Sequence, residues 1–217
     1  MTDYPDELPD EEPEAPEERP APATGTNNAP AMPPSMQERL METRSIFISG
    51  EINQRLAKEV MMQLTALAAV NDEPITIYLN SQGGHVEAGD TIHDFIRFVK
   101  PVVRIVGTGW VASAGAHIFL AAEKENRFCL PNTRFLLHQP MGGVGGQATD
   151  IQIEARQIIK MRERLNRIIS ERTGQPYEKV VKDTDRNYWM TAEEAIEYGV
   201  VHKIVHSISE IEPENAK

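Results

Sequence analysis

Apolar residues follow two alternating patterns along the chain between residues 46 and 172. Short apolar runs of strand length are followed by longer segments with apolar residues at helical spacing. The predicted strands are residues 46–50, 75–79, 102–106 and 134–137, and the predicted helices are residues 52–70, 86–99, 113–122 and 148–172. Strands that alternate with helices in this way are typical of βαβ units. The sequence therefore predicts an α/β fold with a largely parallel sheet.

Polar or glycine-rich segments follow three of the predicted strands. Residues 80–84, Asn-Ser-Gln-Gly-Gly, and residues 107–109 are predicted as turns, and His138 follows the strand that ends at Leu137. Parallel sheets bind ligands beyond the carboxyl ends of their strands. We therefore expect these three segments to meet at one edge of the sheet and to form the functional site there.

Ser113 lies in a run of small residues, Gly-Trp-Val-Ala-Ser-Ala-Gly-Ala, that follows the third predicted strand. Small neighbours let another backbone approach closely, and a helix that begins here points its free N–H groups at the group under attack. This arrangement suits a nucleophilic serine in acyl transfer, although Val111 stands where a G-x-S-x-G elbow has its first glycine. A serine at such a position is more often a helix N-cap, so the motif alone leaves both interpretations open.

A serine nucleophile needs a base within hydrogen-bond reach, and two histidines are candidates. His138 ends a predicted strand at the expected edge, where Pro140 stops strand pairing. His117 lies four residues after Ser113 on the same predicted helix, but its apolar neighbours indicate a packed helix. We favour His138 over His117. The remaining histidines are expected to be solvent-facing or satisfied core residues: His85, His93, His202 and His206.

The predicted helix at residues 148–172 is about seven turns long, which exceeds what a compact domain needs. We expect it to pack against another subunit; the alternative is that it lies across its own sheet. The strip that precedes it, residues 141–146, holds four glycines. Bare backbone of this kind favours pairing with an extended peptide as an added strand.

Composition defines the domain boundaries. With 217 residues, of which 40% are hydrophobic, the chain can bury one sizeable core. The net charge is −11, and residues 1–35 contain nine acidic residues, nine of the 15 prolines and one arginine. Such a segment cannot bury enough apolar surface to fold, so we predict a disordered tail over residues 1–35. The folded domain is expected over residues 36–208, followed by a short C-terminal tail over residues 209–217.

Several functional classes lack support in the sequence. Basic residues do not cluster with aromatic ones, so nucleic-acid binding is not expected, and the histidine spacing predicts no metal site. A secretory signal and an apolar stretch of about 18 residues are both missing, which predicts a cytoplasmic protein without a membrane span. Cys129 lies in an apolar run and is expected to be a buried small hydrophobe.

Seven motifs in order along the chain resemble the proteolytic subunit of Clp protease (ClpP), a serine peptidase with a Clp/crotonase-type fold. The resemblance covers about residues 40–205. The motifs are NSQGG at residues 80–84, ASAGA at 112–116, LHQP at 137–140, GQATDI at 146–151, TGQ at 173–175, DTDR at 183–186 and AIEYG at 195–199.

The resemblance implies roles for individual residues. Ser113 matches the nucleophile and His138 the general base, while Gly84 and Ala114 match the residues whose N–H groups form the oxyanion hole. The strip Met141, Gly142 and Gly143 matches the strand that binds substrate. The helix that begins at Ala148 matches the handle that joins two seven-membered rings into a hollow chamber.

The resemblance also implies partners. A ClpP-like chain forms stacked heptameric rings and cuts unfolded polypeptides that an AAA+ unfoldase, one of the Clp ATPases, delivers. ATP is used by that partner, and the chain itself needs no cofactor. A mixed ring with a ClpP paralogue is a further expectation.

Three departures from the family pattern affect these expectations. Asn187 stands where the family has the triad aspartate; an amide can accept the histidine Nδ1–H but offers no charge to an imidazolium, so we expect slower chemistry. Asp185 lies two residues earlier and supplies the charge instead if this segment is extended. Gln82 replaces the usual proline, which predicts a more mobile loop. The acidic tail stands in place of the family's apolar N-terminal axial loop. Thr76 stands where an aromatic residue often lines the groove in which the unfoldase docks.

Two other functions compete with an active peptidase. Asn187 favours a weakly active structural subunit that stacks on an active paralogue. Related folds use the same pair of backbone amides to stabilise an enolate, which suggests an acyl-CoA enzyme of the crotonase type. Ser113 in register with His138 argues against the second alternative.

Overall fold

The computed structural model describes residues 34–142 and 145–211, which belong to one compact unit that begins at Pro34. Its helices are α1 (Pro34–Glu42), α2 (Gln54–Val70), α3 (Val86–Phe98), α4 (Ala114–Phe119), α5 (Ala148–Thr173), α6 (Tyr177–Asp183) and α7 (Ala192–Tyr198). Its strands are β1 (Ser45–Ile52), β2 (Ile75–Gly84), β3 (Val103–Ala112), β4 (Arg127–Cys129), β5 (Arg134–Leu137), β6 (Tyr188–Met190) and β7 (Lys203–Ile204). The predicted α/β class is confirmed. Most of the two predicted tails, residues 1–33 and 212–217, lies outside the described residues, so the domain boundaries stay predictions.

The strands form one sheet in the order β1-β2-β3-β4-β7, and all of these pairs are parallel. The edge of β3 is divided between two partners. Its first part, Ile105 to Gly107, pairs with β4, and its last part, Trp110 to Ala112, pairs with β5. β6 is antiparallel to β5 and is the exception to the predicted parallel sheet. The division of β3 brings β5 beside the residues that lead directly into Ser113.

Helices α2 and α3 cover the sheet with the apolar faces that the helical spacing predicts. α2 buries Ala57, Val60, Leu64 and Leu67, three or four residues apart, and its first turn is capped by Asn53, whose side chain accepts the Leu56 N–H. On the sheet side, every second residue of β2 is buried, from Ile75 to Ser81. Cys129 is buried in β4, as expected.

The two glycine-rich turns predicted at residues 80–84 and 107–109 are wrong, because β2 and β3 continue through them. The pairing register shifts within both segments, and Gly83 and Gly109 have φ angles of 100° and 61°. The glycines therefore serve as irregularities within continuous strands. Gln82 is compatible with an ordered strand, since in one amide orientation its side chain donates to Gly50 O and accepts from Glu51 N–H, both at 3.2 Å.

Helix α5 matches the predicted long helix to within one residue, and Gly174 ends it with a φ of 78°. Its buried residues, Asn166, Ile169 and Thr173, all lie in its last third. Ile153 and Ile159, nearer its start, are 47% and 57% exposed. The alternative that α5 lies along its own sheet is therefore wrong over most of its length. Among the described helices, none combines the length and apolarity needed to cross a membrane.

Candidate active site

Ser113 stands between the end of β3 and the start of α4 in an unusual backbone conformation. Its φ is 56° and its ψ is −122°, a combination that costs a residue with a side chain about 1–3 kcal/mol. The Ser113 N–H donates to Leu136 O at 3.0 Å, and its carbonyl accepts the His117 N–H at 3.1 Å. Within the part of the chain that the structure describes, its hydroxyl makes no capping bond to α4. Ser113 therefore occupies the N-cap position of α4, but its side chain does not cap the helix. The predicted helix 113–122 begins one residue later and ends at Phe119.

The backbone of Gly83 packs directly against Ser113. A Cβ added to Gly83 would lie 2.6 Å from Ser113 Cβ and 2.9 Å from Ala112 O, distances that real side chains do not adopt. Only glycine fits here. Its φ of 100° also requires glycine, because residues with a side chain rarely adopt this conformation. Gly83 had no predicted role, although the Gly-Gly pair was a signal for it; of the two glycines, only Gly84 was predicted to act at the site.

Ser113, His138 and Asn187 lie in one hydrogen-bonded row. His138 Nε2 is 2.8 Å from Ser113 Oγ, and His138 Nδ1 is 3.1 Å from Asn187 Oδ1. An amide oxygen can only accept, so Nδ1 carries the proton in this arrangement and Nε2 is left as the acceptor of the serine O–H. The tautomer is therefore the one in which His138 can take a proton from Ser113.

Asn187 ends a turn, residues 184–187, which we call the Asn187 turn; its first residue is buried and the other three are exposed. Gln139 fastens it to the end of β5: its N–H donates to Thr184 O and its Nε2 to Asp185 O, both at 2.7 Å. The buried Thr184 Oγ1 in turn donates to Asn166 Oδ1 on α5 at 3.0 Å. These bonds position Asn187 relative to His138, and sequence reasoning did not identify them.

The carboxylate of Asp185 is directed to a different partner. Arg162 on α5 donates to Asp185 Oδ1 at 3.1 Å. The segment is a turn, so residues 185 and 187 do not share one side as they would in a strand. The alternative in which Asp185 supplies the charge to His138 is therefore wrong.

His117 does not act on Ser113 in this structure. Its Nε2 lies 2.9 Å from Asp90 Oδ1, and its ring stacks on that of His93 with the centroids 4.3 Å apart. The preference for His138 over His117 agrees with this geometry.

Two depressions meet at His138. A partly enclosed cavity of about 40 Å³ is bordered by Ser113, Ala114, His117 and His138, and the rest of its wall is apolar: Val86, Leu137, Pro140, Leu165 and Ile169. On the other side of His138 lies an open groove of about 620 Å³, bordered by Met141, Gly142 and Ile158. An extended peptide that follows the groove can direct one side chain into the cavity. Gly143, the third residue of the predicted substrate strip, lies outside the described residues.

The two predicted oxyanion donors belong to different elements, Gly84 to the end of β2 and Ala114 to the start of α4. Ala114 is the first residue of α4, and the first N–H groups of a helix have no partner within it. Its nitrogen is 3.1 Å from the point that a Gly83 Cβ would occupy. Gly84 pairs with Ile52 of β1, where an added Cβ would lie 2.2 Å from Ile52 O. The oxyanion roles of Gly84 and Ala114 stay predictions.

A cysteine site and a metal site both lack support among the described residues. Burial raises the pKa of Cys129 to about 12, so this thiol stays protonated and unreactive at neutral pH. Within residues 34–142 and 145–211, no three His, Cys, Asp or Glu side chains come together in a way that could hold a metal ion.

Comparisons with known proteins point to one family. A family model described as Clp protease matches residues 32–208. The ATP-dependent Clp protease proteolytic subunit 2 of Gluconobacter oxydans is 62% identical over 178 residues, which are 81% of this chain and 80% of that protein. Subunit 3 of Rhizobium meliloti is 64% identical over 175 residues, 81% of this chain and 90% of that protein.

Solved structures give the same result. ClpP1 from Listeria monocytogenes is 56% identical, with a TM-score of 0.75, and the match covers 82% of this chain and 99% of that one. A variant of the Listeria protein in which one asparagine is replaced by aspartate has a TM-score of 0.77 at the same identity and coverage.

Proposed function

The chain belongs to the Clp protease family, and on this premise we propose that it cuts peptide bonds with Ser113 as nucleophile, His138 as general base and Asn187 as the residue that orients His138. The protein is a serine-type peptidase, the proteolytic subunit of an ATP-dependent Clp protease. The observation that carries the residue assignment is the 2.8 Å contact between His138 Nε2 and Ser113 Oγ.

In the proposed reaction, Ser113 Oγ attacks the substrate carbonyl and its proton passes to His138 Nε2. The carbonyl oxygen becomes an oxyanion, for which the N–H groups of Ala114 and Gly84 are the predicted donors. His138 then gives its proton to the leaving amine, and the acyl group stays on Ser113. Water, deprotonated by His138, releases the acyl group and restores the serine. No step needs a cofactor in this chain.

Asn187 limits the rate of this reaction. Its Oδ1 accepts the His138 Nδ1–H, which fixes the tautomer and the ring orientation. However, the imidazolium that forms during attack is stabilised only by the dipole of an amide, whereas an aspartate would stabilise it with a full negative charge. We expect a functional but slow active site.

The groove and the cavity support an unfolded polypeptide as substrate. Met141 and Gly142 border the open groove, and Met141 is 82% exposed, so an extended chain can reach backbone groups there without displacing a packed side chain. The cavity beside Ser113 is apolar on most of its wall and suits the side chain before the cut bond.

We also propose the assembly that the family implies: heptameric rings, stacked in pairs through α5. Its exposed isoleucines, Ile151, Ile153 and Ile159, leave apolar surface for such a contact. An AAA+ unfoldase would use ATP and supply substrate. Phe47, 54% exposed and stacked on Tyr78 beside a cavity of about 200 Å³, offers it an apolar docking surface despite Thr76. A cytoplasmic location stays a prediction.

A second candidate is a structural subunit that depends on an active paralogue in a mixed ring. Asn187 in place of a carboxylate favours this role, since a ring with slow sites would contribute mainly assembly. The two candidates differ in whether the pure protein reacts at Ser113.

Purified protein treated with a fluorophosphonate probe tests both. The active peptidase is labelled at Ser113 and hydrolyses a fluorogenic peptide, and Ser113→Ala loses both reactions while it still assembles. The melting temperature is the control for folding. Hydrolysis retained by Ser113→Ala would overturn the assignment, and a wild-type protein that is neither labelled nor active alone would favour the structural role.

A further inference from the structure

A second group of titratable side chains lies close to Ser113, and one of them, His117, lines the same cavity as Ser113 and His138. His117 Nε2 is 2.9 Å from Asp90 Oδ1, and Arg164 of α5 binds both oxygens of Asp90, at 2.8 and 2.6 Å. The ring of His93 lies parallel to that of His117, with an angle of 5° between the planes. Three helices, α3, α4 and α5, contribute to this cluster, and the triad uses none of its members.

The two histidines and Asp90 lie largely out of water, whereas Arg164 reaches the surface. The side chains of His117 and Asp90 are 8% and 18% exposed. Burial opposes the charge of Asp90, but the contacts with His117 and Arg164 keep the pKa of Asp90 well below its usual range. Asp90 is therefore a carboxylate with Arg164 on one side and His117 on the other.

Burying charged groups between helices costs desolvation free energy, and apolar residues of similar volume often join helices equally well. Its position suggests a more specific use. The His117 backbone N–H donates to the Ser113 carbonyl, at 3.1 Å, in the first turn of α4. One residue before Asp90, Gly89 packs against Ala114, the residue after the nucleophile.

The strained conformation of Ser113 needs such support. A residue with a side chain stays at a φ of 56° only when its surroundings over-determine it. The Ser113 N–H is fixed by β5 and its carbonyl by His117. If α4 rotated or shifted, the bond between the His117 N–H and the Ser113 carbonyl would change, and Ser113 could relax to an unstrained conformation.

We propose that His117 is a positioning residue for Ser113: Arg164 and Asp90 fix its imidazole, and His117 thereby fixes the first turn of α4 and keeps the nucleophile in its strained, reactive conformation. Asp90 also engages His117 Nε2, at 2.9 Å, while the serine hydroxyl contacts His138. This role rests on Ser113 being the nucleophile, as proposed above.

The main test replaces His117 with phenylalanine, which keeps a ring against His93 but cannot bind Asp90. We expect kcat for a fluorogenic peptide and the rate of fluorophosphonate labelling at Ser113 to fall by about tenfold each, with KM within a factor of two, because a misplaced nucleophile slows chemistry more than binding. His117→Gln, whose amide can still donate to Asp90, should recover part of this loss.

Arg164→Gln provides a second route, since Arg164 is at the surface and its replacement leaves the core packing intact. We expect a loss in kcat of about threefold, and the double variant Arg164→Gln with His117→Phe should be no slower than His117→Phe alone, because Arg164 acts through His117. Arg167→Gln is the matched control: this arginine lies on the same helix but contacts Tyr177.

Three results would overturn the proposal. These are wild-type kcat in both His117→Phe and Arg164→Gln, a rise in KM with kcat unchanged, or additive losses in the double variant. If His117→Phe fails to fold, Arg164→Gln against Arg167→Gln decides alone. Wild-type protein that is not labelled at Ser113 would refute the proposed function instead, so the two failures are distinguishable.

Discussion

The two ends of the catalytic row are built in different ways. Ser113 is placed by backbone: it is fixed between β3, β5 and α4, and the backbone of Gly83 packs against it so closely that no Cβ fits. Asn187 is placed largely by the bonds of Gln139 and Thr184 and sits on a largely exposed turn. The nucleophile end therefore tolerates almost no change of shape, whereas the Asn187 end can exchange side chains without disturbing its backbone.

The largest expected effect comes from the nucleophile end. Gly83→Ala adds a methyl group 2.6 Å from Ser113 Cβ, which must displace the serine, and we expect kcat/KM to fall by about 100-fold or more. Gly50→Ala is the control, because Gly50 also has a positive φ, 81°, but its added Cβ meets no atom within 4 Å. Peptide hydrolysis and melting temperature should be measured for both. Equal losses in the two variants would show that backbone strain, and not the clash, is responsible.

At the other end, Asn187→Asp should increase kcat/KM by about ten- to a hundredfold, because a carboxylate replaces an amide 3.1 Å from His138 Nδ1. Asp185→Asn should change the rate little, since this carboxylate faces Arg162. The double variant should behave like Asn187→Asp. A loss of activity in Asp185→Asn, or no gain in Asn187→Asp, would contradict the assignment of the third residue. If the introduced carboxylate forms an ion pair with Arg186, adding Arg186→Gln to Asn187→Asp should increase kcat/KM further.

The buried side of the nucleophile end should also respond to pH. Burial and the charge of His117 lower the pKa of His93 to about 4, from an ordinary value of 6.5. Between these two values the unfolded chain binds a proton that the folded protein does not, so stability falls as the pH falls. We expect a loss of roughly 1 kcal/mol in the free energy of unfolding between pH 7 and pH 5.5.

Urea denaturation at a fixed protein concentration measures this loss. His93→Phe keeps a ring against His117 and should flatten the pH dependence. At pH 8 His93 is neutral in both states, so that condition serves as the reference for the mutation itself. The same slope in variant and wild type would show that other groups cause it.

The smallest expected effect concerns the bond that fastens the Asn187 turn. Gln139→Ala removes the side-chain bond to Asp185 O but keeps the backbone bond to Thr184 O, so we expect kcat to fall only about threefold. Gln147→Ala is the matched control, because the Gln147 side chain makes no capping bond at the start of α5. A loss as large as that of Gly83→Ala would mean that the turn is as rigidly built as the nucleophile end.

The sequence predicted best what local patterns determine. The alternating βαβ order, the length of α5 and the strand that ends at Leu137 all follow from periodicity. Strands of two or three residues, such as β4, β6 and β7, have no period to detect, and they were not predicted. Glycines at strand irregularities look the same as glycines in turns, which explains the wrong turns at residues 80–84 and 107–109.

At the site, motifs brought Ser113, His138 and Asn187 together before any geometry was known. They could not indicate which glycine packs against the serine, because Gly83 and Gly84 are identical neighbours in the sequence and differ only in what they contact in the fold. Nor could they indicate that Asp185 turns to Arg162, a partner 23 residues away on another element. These contacts depend on how the helices and strands pack against one another, which composition and motif spacing do not determine.

The divided edge of β3 has a consequence for the newly made protein. Its last residues, which lead into Ser113, need β5, and β5 in turn pairs with β6, which follows Asn187. At a synthesis rate of about 5–20 residues per second, roughly 4 to 15 s pass between the addition of Ser113 and that of Asn187. Throughout this interval the chain carries its serine but cannot complete the row that activates it. A protease built in this order completes its catalytic row only when its domain is nearly finished.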